Sequence, residues 1–109
     1  MTIRKLWIDD VRNPPDNTFD VARTYWDALE YLLENQYDEV DIDHDLGCFK
    51  DGREYTGYDI LMWLADLKSQ GHYVPPTYYV LTANPVGRVR MQQVIDQYLT
   101  FKKEQQDGQ

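Results

Sequence analysis

The stretch VDIDHDLG at residues 40–47 limits the folds open to this chain more than any other segment. Val40 and Ile42 alternate with aspartates, as in a strand that has one buried face, and the acidic run 43–45 follows at once. A strand that enters a hydrophobic core can end in so many carboxylates only if a positive partner lies beside them. The stretch therefore predicts a buried strand whose carboxyl end faces a cation.

Apolar runs typical of strands alternate with runs of helical period along the chain. We predict strands at residues 2–10, 18–23, 38–43 and 78–83, and helices at 24–35, 57–71 and 88–105. This order predicts an α/β fold with about three helices and a mostly parallel four-stranded sheet of order 2-1-3-4. Only about eight residues join the first two strands, fewer than parallel crossovers usually take, so the crossover is irregular or the second strand is antiparallel.

Two short segments carry turn signals. Residues 50–53, KDGR, are predicted to form the tip of a hairpin, and residues 84–87, NPVG, a turn before the last helix. The buried face of that helix is expected to carry Met91, Val94, Ile95 and Tyr98. Residues 1–105 are expected to form a single domain, followed by a frayed polar tail at 106–109.

The net charge of −8 argues against general binding of DNA or RNA, because such binding depends on Lys and Arg that neutralise phosphates. An acidic chain can still bind a cation, a basic protein partner or a small phosphate, and the charge can equally serve solubility alone. The single cysteine, Cys48, excludes an intrachain disulfide, fits a cytoplasmic setting and is expected to be unreactive. No signal peptide is recognisable, and no segment approaches the roughly 18 apolar residues of a membrane span.

Ligands of open parallel sheets bind beyond the carboxyl ends of the strands. Here three strand ends carry carboxylates, an imidazole, a hydroxyl and an amide: Asp9, Asp10, Asp43, His44, Asp45, Thr82 and Asn84. Adjacent buried carboxylates raise one another's pKa, and a bound Mg²⁺ or Mn²⁺ removes that conflict. For any one of these acids a plain structural role, such as loop capping by Asp9 and Asp10, stays open, and Asp41 is expected to be a solvated strand residue.

A phosphate seat is predicted beside these acids. Thr82 and the backbone amides near Asn84 and Gly87 would hold the phosphate at the start of the last helix. Arg12 and Arg88 lie in loops on the same side and would add bidentate contacts. His44 is interpreted either as a general base or as a loop hydrogen-bonding residue.

Four stretches resemble signatures of the cyclic-phosphate processing receiver domain, a divergent branch of the receiver domains of two-component signalling: LWIDDVRNPP, DIDHDLG, TGYDIL and LTANPVGRVRM. The resemblance implies a truncated flavodoxin-like or receiver-like fold of three layers. It implies a metal site formed by Asp9, Asp10, Asp43 and the backbone carbonyl of Asp45, with Asp43 as phosphoacceptor and Thr82 as the phosphate-sensing hydroxyl. It also implies processing of cyclic phosphate ends, as in RNA repair, often in phage or mobile-element settings.

The chain departs from receiver domains in three respects. No helix is predicted between the first two strands, and the fifth strand with its lysine has no counterpart after TANP. Leu81 stands where this branch commonly has a histidine before its hydroxyl residue, here Thr82. His44 is the residue that could replace the missing acid–base group.

Three functions follow from these observations. The first is a metal-dependent phosphoesterase that acts on a phosphate-bearing small molecule or RNA end, with Asp43 or a metal-bound water attacking and Arg12 and Arg88 stabilising charge. The second is a signalling module phosphorylated on Asp43. The third is an acidic binding protein without chemistry, for example a phage-type inhibitor that docks on a basic protein surface.

Overall fold

The computed structural model of the protein describes residues 3–100. Along the chain these residues form β1 (Lys5–Ile8), β2 (Phe19–Ala22), α1 (Tyr25–Glu34), β3 (Glu39–Ile42), β4 (Cys48–Lys50), β5 (Arg53–Tyr55), α2 (Gly57–Ser69), β6 (Thr77–Val80), α3 (Pro85–Val94) and a closing π-helical segment, Ile95–Leu99. The polar tail predicted at 106–109 and the predicted end of the last helix at residue 105 lie outside the described residues.

Four strands form one parallel sheet in the order β2-β1-β3-β6. Because β6 is the fourth predicted strand, the predicted order and the parallel direction are both confirmed. Strand β2 runs parallel to β1 although residues 9–18 cross between them without a helix. The irregular crossover is therefore the correct alternative, and it is fastened at its start by a hydrogen bond from Asp9 N to Ala22 O (3.2 Å).

One face of this sheet forms the core. Side chains alternate across a strand, and the buried residues that share the core face are Leu6, Ile8, Ala22, Val40, Ile42 and Tyr78. Every helix contributes to the same cluster, among others through Ala28, Ile60, Leu61, Leu64, Met91 and Val94. Within residues 3–100 the helices thus cover one face, and the expected third layer contains no helix because the β1–β2 crossover is a loop.

The opposite face of the sheet contradicts one prediction. Asp41 was expected to be solvated, but it is only 9% exposed and its Oδ1 has no hydrogen-bond partner. The strand register places it between Trp7 and Tyr79, two residues with large side chains on the same face of the sheet. Burial, followed by the neighbouring Glu39, raises the pKa of Asp41 to about 7.

Capping residues define where the helices begin. The Oγ1 of Thr24 accepts from Asp27 N (3.0 Å) at the start of α1, and Thr56 forms a capping box with Asp59 at the start of α2. Residues 84–87 are the cap and first turn of α3, so the separate turn predicted there is wrong. The reason is local: the Asn84 side chain caps the helix, and Pro85 occupies its first position, where the missing N–H costs nothing.

Two further predictions have opposite outcomes. The hairpin tip at 50–53 is confirmed, because β4 and β5 pair antiparallel and Asp51 and Gly52 both have positive φ, as a two-residue hairpin turn requires. Tyr98 was predicted to be buried but is 50% exposed, and Leu99 is buried instead. The π-helical segment changes the periodicity after Val94, which rotates Tyr98 off the core face.

No helix within residues 3–100 combines the length and the apolar character that crossing a bilayer requires.

Candidate functional site

The carboxyl ends of β1 and β3 bring three carboxylates together. Asp9, Asp10 and Asp43 each offer one oxygen, and these oxygens all lie within 4.8 Å of one another. The two strand ends are held side by side by a hydrogen bond from Asp43 N to Ile8 O (2.9 Å). We call these three residues the acidic cluster, and they are close enough to share one ligand.

Asp9 is the fully buried member of the acidic cluster. Its Oδ1 accepts from Val11 N (3.0 Å) and Arg12 N (2.9 Å), and its Oδ2 accepts from Arg12 Nε (2.9 Å). Asp9 therefore shapes the turn after β1, which is the loop-capping role left open above. The carboxylate of Asp10, in contrast, has no hydrogen-bond partner among residues 3–100 and stays available to a ligand.

Arg12 is the cation of this site. In addition to its bond to Asp9, its Nη2 lies 3.6 Å from Asp43 Oδ2 and donates to Leu81 O (3.1 Å) at the end of β6. The guanidinium is half exposed and bridges two carboxylates. One guanidinium faces three carboxylates, so the acidic cluster keeps excess negative charge.

Asp43 is 9% exposed. Burial raises its pKa, and the charge of Asp9 raises it further. The His44 N–H, 2.8 Å from Asp43 Oδ1, and the charge of Arg12 act in the opposite direction, as does the Thr82 hydroxyl to a smaller degree. The effect of burial is the largest of these, so the pKa of Asp43 lies above its ordinary value.

The donor set of the acidic cluster fits a hard dication. Carboxylate oxygens are the ligands that Mg²⁺ and Mn²⁺ prefer, and one or two carboxylates plus water are sufficient for Mg²⁺. The shared spacing of the three oxygens and the uncompensated negative charge both suit such an ion. The side chain of Asp45 does not join this group, since it is exposed and bonded to His44; the resemblance assigns Asp45 a role only through its backbone carbonyl.

The residues of the predicted phosphate seat lie at and after the end of β6, apart from Arg12. Thr82 is 1% exposed, and its Oγ1 accepts from Asn84 N (3.0 Å). The amides of Val86 and Gly87 are already bonded to Asn84 Oδ1 (3.1 Å each), so a phosphate would have to displace that side chain to reach them. Arg88 donates to Thr82 O (2.5 Å) and Val80 O (3.3 Å), which anchors it along the strand end.

His44 lies between the acidic cluster and α3. Its Nδ1 is 2.7 Å from Asp45 Oδ1, and its ring packs on Gly87, where an added Cβ would lie 2.8 Å from ring atoms. Gly87 is thus needed for the close approach of the imidazole. The two interpretations of His44 remain compatible, because a ring fixed at Nδ1 still presents Nε2 for proton exchange.

Sequence reasoning missed two residues that position the site. Arg23 donates from Nη1 to Asp9 O (3.1 Å) and Arg12 O (2.7 Å), which holds the loop after β1; its only signal was a cation at the end of β2. At Gly57 an added Cβ would lie 2.0 Å from Asp43 O, so α2 begins directly against the backbone of Asp43. A single glycine in TGYDIL gave no hint of that contact.

Comparison with known proteins agrees with this geometry. No curated protein and no solved structure matches the chain. The family described as the cyclic-phosphate processing receiver domain matches residues 4–97, a span that contains all six strands, the three α-helices and the acidic cluster. The chain therefore belongs to the cyclic-phosphate processing receiver domain family.

Proposed function

We propose that this domain binds a divalent metal ion and processes a cyclic or terminal phosphate, such as the 2′,3′-cyclic phosphate of an RNA end during RNA repair. The observation that carries the proposal is the acidic cluster. Among residues 3–100 its carboxylates form ion pairs with Arg12 alone, so negative charge remains that can attract a dication. Family membership supports the cyclic phosphate as the substrate class. The single cysteine supports a cytoplasmic setting, and a phage or mobile-element origin is part of the same proposal.

Asp10 and Asp43 are the side chains best suited to hold Mg²⁺ or Mn²⁺. The Asp10 carboxylate has no hydrogen-bond partner among residues 3–100, and Asp43 places a carboxylate oxygen within 4.8 Å of it. Asp9, whose oxygens bond the loop and Arg12, would contribute mainly by charge. When bound, the ion would supply Lewis-acid polarisation of the phosphoryl oxygens.

The side chains of the protein would stabilise charge, orient the phosphate and transfer protons. Arg12 lies beside both Asp43 and the end of β6, where it would neutralise charge that develops on the phosphoryl group. The buried hydroxyl of Thr82 would orient a phosphoryl oxygen. His44, fixed by Asp45, would exchange a proton with the attacking or leaving oxygen through Nε2.

The test is hydrolysis of adenosine 2′,3′-cyclic phosphate with Mg²⁺ or Mn²⁺, with and without EDTA. We expect turnover that EDTA abolishes and that Asp43→Asn lacks. Absence of turnover with either metal ion, in a protein shown to be folded by circular dichroism, would contradict the catalytic part of the proposal.

A phosphoacceptor role for Asp43 is the second candidate, favoured by the buried hydroxyl of Thr82 beside this carboxylate. The cation beside Asp43 is Arg12, on the loop after β1. Incubation with acetyl phosphate distinguishes this role, because it predicts a phosphoryl mass gain that Asp43→Asn lacks. A basic protein partner that docks on the acidic surface is compatible with either candidate.

A further inference from the structure

Three aromatic rings meet where α1 begins beside the β4–β5 hairpin. The ring centroids of Tyr25, Trp26 and Tyr55 are 4.9 to 5.8 Å apart in all three pairs. Trp26 is 42% exposed, and the guanidinium carbon of Arg53 lies 4.3 Å from the centre of the Tyr55 ring. We call these four residues the aromatic platform.

The aromatic platform is tied to the acidic cluster by short contacts. Tyr25 N donates to Cys48 Sγ (3.3 Å), and Cys48 pairs with Tyr55 in the hairpin. The residue before Cys48 is Gly47, whose added Cβ would lie 3.6 Å from Asp10 Oδ2. Gly47 thus lies beside a cluster carboxylate, and the next residue, Cys48, contacts Tyr25 and pairs with Tyr55, so the aromatic platform and the acidic cluster are neighbours.

A second connection holds the platform on the same edge of the sheet. Arg23 lies two residues before Tyr25 and bonds the backbone of Asp9 and Arg12. The start of α1 is thus attached to the loop that carries the acidic cluster as well as to the hairpin. A ligand that contacts both the cluster and the platform would meet one connected support.

The charge of the chain determines how such a ligand could be recognised. With a net charge of −8, the protein gains little from contacts to successive phosphates of a nucleic acid. Recognition of a nucleotide then depends on contacts that need no positive field, and stacking of a base on aromatic rings or an arginine plane is the main one. An exposed tryptophan next to an arginine-covered tyrosine supplies such a surface.

We propose that the aromatic platform stacks the base of the single nucleotide whose phosphate is held at the acidic cluster. The inference rests on the proposed function of that cluster. It commits the substrate to a nucleoside 2′,3′-cyclic phosphate and excludes cyclic phosphates that lack a base. Trp26 contributes the exposed stacking ring, with Tyr25, Tyr55 and Arg53 supporting it.

The test measures binding by calorimetry in Mg²⁺ for two probes, adenosine 2′,3′-cyclic phosphate and methyl ribofuranoside 2,3-cyclic phosphate, which lacks the base. We expect wild type to bind the nucleotide about tenfold more tightly than the base-free probe. Trp26→Ala should lose that difference and leave binding of the base-free probe unchanged. Phe49→Ala is the matched control, since Phe49 is 66% exposed but lies on the other face of the hairpin.

Several results would overturn the inference. Equal binding of both probes by wild type would do so, as would a Trp26→Ala protein that keeps the preference for the nucleotide. If Trp26→Ala does not fold, Trp26→Leu removes the ring with less loss of apolar volume and should give the same loss of preference. Failure of wild type to bind either probe overturns the proposed function and this inference together.

A five-nucleotide RNA that ends in the same cyclic phosphate distinguishes a free nucleotide from an RNA end. The acidic surface predicts that the oligonucleotide binds within about tenfold of the mononucleotide, because further phosphates find no positive partners. A much larger gain for the oligonucleotide would contradict recognition of a single nucleotide.

Discussion

Arg12 donates its Nε–H to Oδ2 of Asp9 across 2.9 Å, and Asp9 belongs to the acidic cluster that is proposed to hold a dication. The guanidinium and an incoming metal ion therefore compete for the negative charge of the acidic cluster. This competition gives Arg12 two opposite effects, on metal affinity and on phosphate chemistry, which experiments can separate.

Replacing Arg12 with Gln should raise the affinity for Mg²⁺ several-fold, because a positive charge leaves the acidic cluster. Turnover should fall, because the group that neutralises the phosphoryl charge is lost. Without metal, the free energy of unfolding should decrease by about 1–2 kcal/mol, since the buried Asp9 loses a partner. Calorimetric titration measures the affinity, hydrolysis of the cyclic phosphate measures the turnover, and urea denaturation measures the free energy of unfolding. Arg88→Gln is the control, because its bonds reach only carbonyl oxygens, and equal affinity gains in both variants would contradict the competition.

Replacing Asp43 with Asn should weaken Mg²⁺ binding by at least about tenfold, the effect of removing one of few charged ligands. The metal-free protein should unfold at a higher temperature, because burial and Asp9 already disfavour the charge on Asp43. Asp45→Asn is the matched control, since its side chain lies outside the acidic cluster on His44. Unchanged calorimetric affinity in Asp43→Asn would remove this carboxylate from the metal site.

Replacing Gly57 with Ala should lower the free energy of unfolding by about 2 kcal/mol or more. The added Cβ would collide with the Asp43 carbonyl oxygen at 2.0 Å, and this clash outweighs the helical preference of Ala over Gly, about 1 kcal/mol. Ser69→Ala, at the other end of α2, should be neutral or slightly stabilising. Urea denaturation of both variants is the measurement. A Gly57→Ala protein more stable than wild type would contradict the clash and show that helix propensity determines the change in the free energy of unfolding.

The contribution of Asp41 to stability should fall as the pH rises from about 4 to about 7. The pKa of Asp41 is about 7 in the folded protein and ordinarily 3.8, so the folded state binds this proton more tightly. The stabilisation of the folded protein by this bound proton is complete below the ordinary pKa and is lost as the pH rises through about 7. In metal-free buffer Asp41→Asn should be more stable than wild type by roughly 1–2 kcal/mol at pH 8 and much closer to it at pH 5. The control is Asp96→Asn, because Asp96 lies on the exposed surface. If the free energies of unfolding of Asp41→Asn and wild type differ by the same amount at every pH, the prediction is wrong.

The sequence predicts the frame of the site because β1 and β3 each change abruptly from an apolar to an acidic residue at their carboxyl ends. Ile8 followed by Asp9, and Ile42 followed by Asp43, each mark the point where a buried strand reaches its polar end. Parallel neighbours then carry these ends to one edge, so the convergence of the carboxylates follows from pattern and strand order.

What could not be predicted depends on contacts between distant segments. The alternation correctly turns Asp41 away from the core, but its burial depends on the rings that the register places beside it. The close approach of Gly57 to Asp43 is likewise visible only after α2 is packed. The exposure of Tyr98 follows from a π-helical segment, which apolar periodicity at helical spacing does not signal.

The crossover at residues 9–18 joins two neighbouring strands without a helix, and it begins with Asp9 and Asp10, two members of the acidic cluster. Because Asp9 N bonds Ala22 O, the edge strand β2 is fastened to the sheet by the same turn that presents the carboxylates. Local opening of β2 and release of a bound ion are then thermodynamically linked. We therefore expect the amide hydrogens of β2 to exchange more slowly in saturating Mg²⁺. The exchange rate of these amides would then show whether the metal site is occupied.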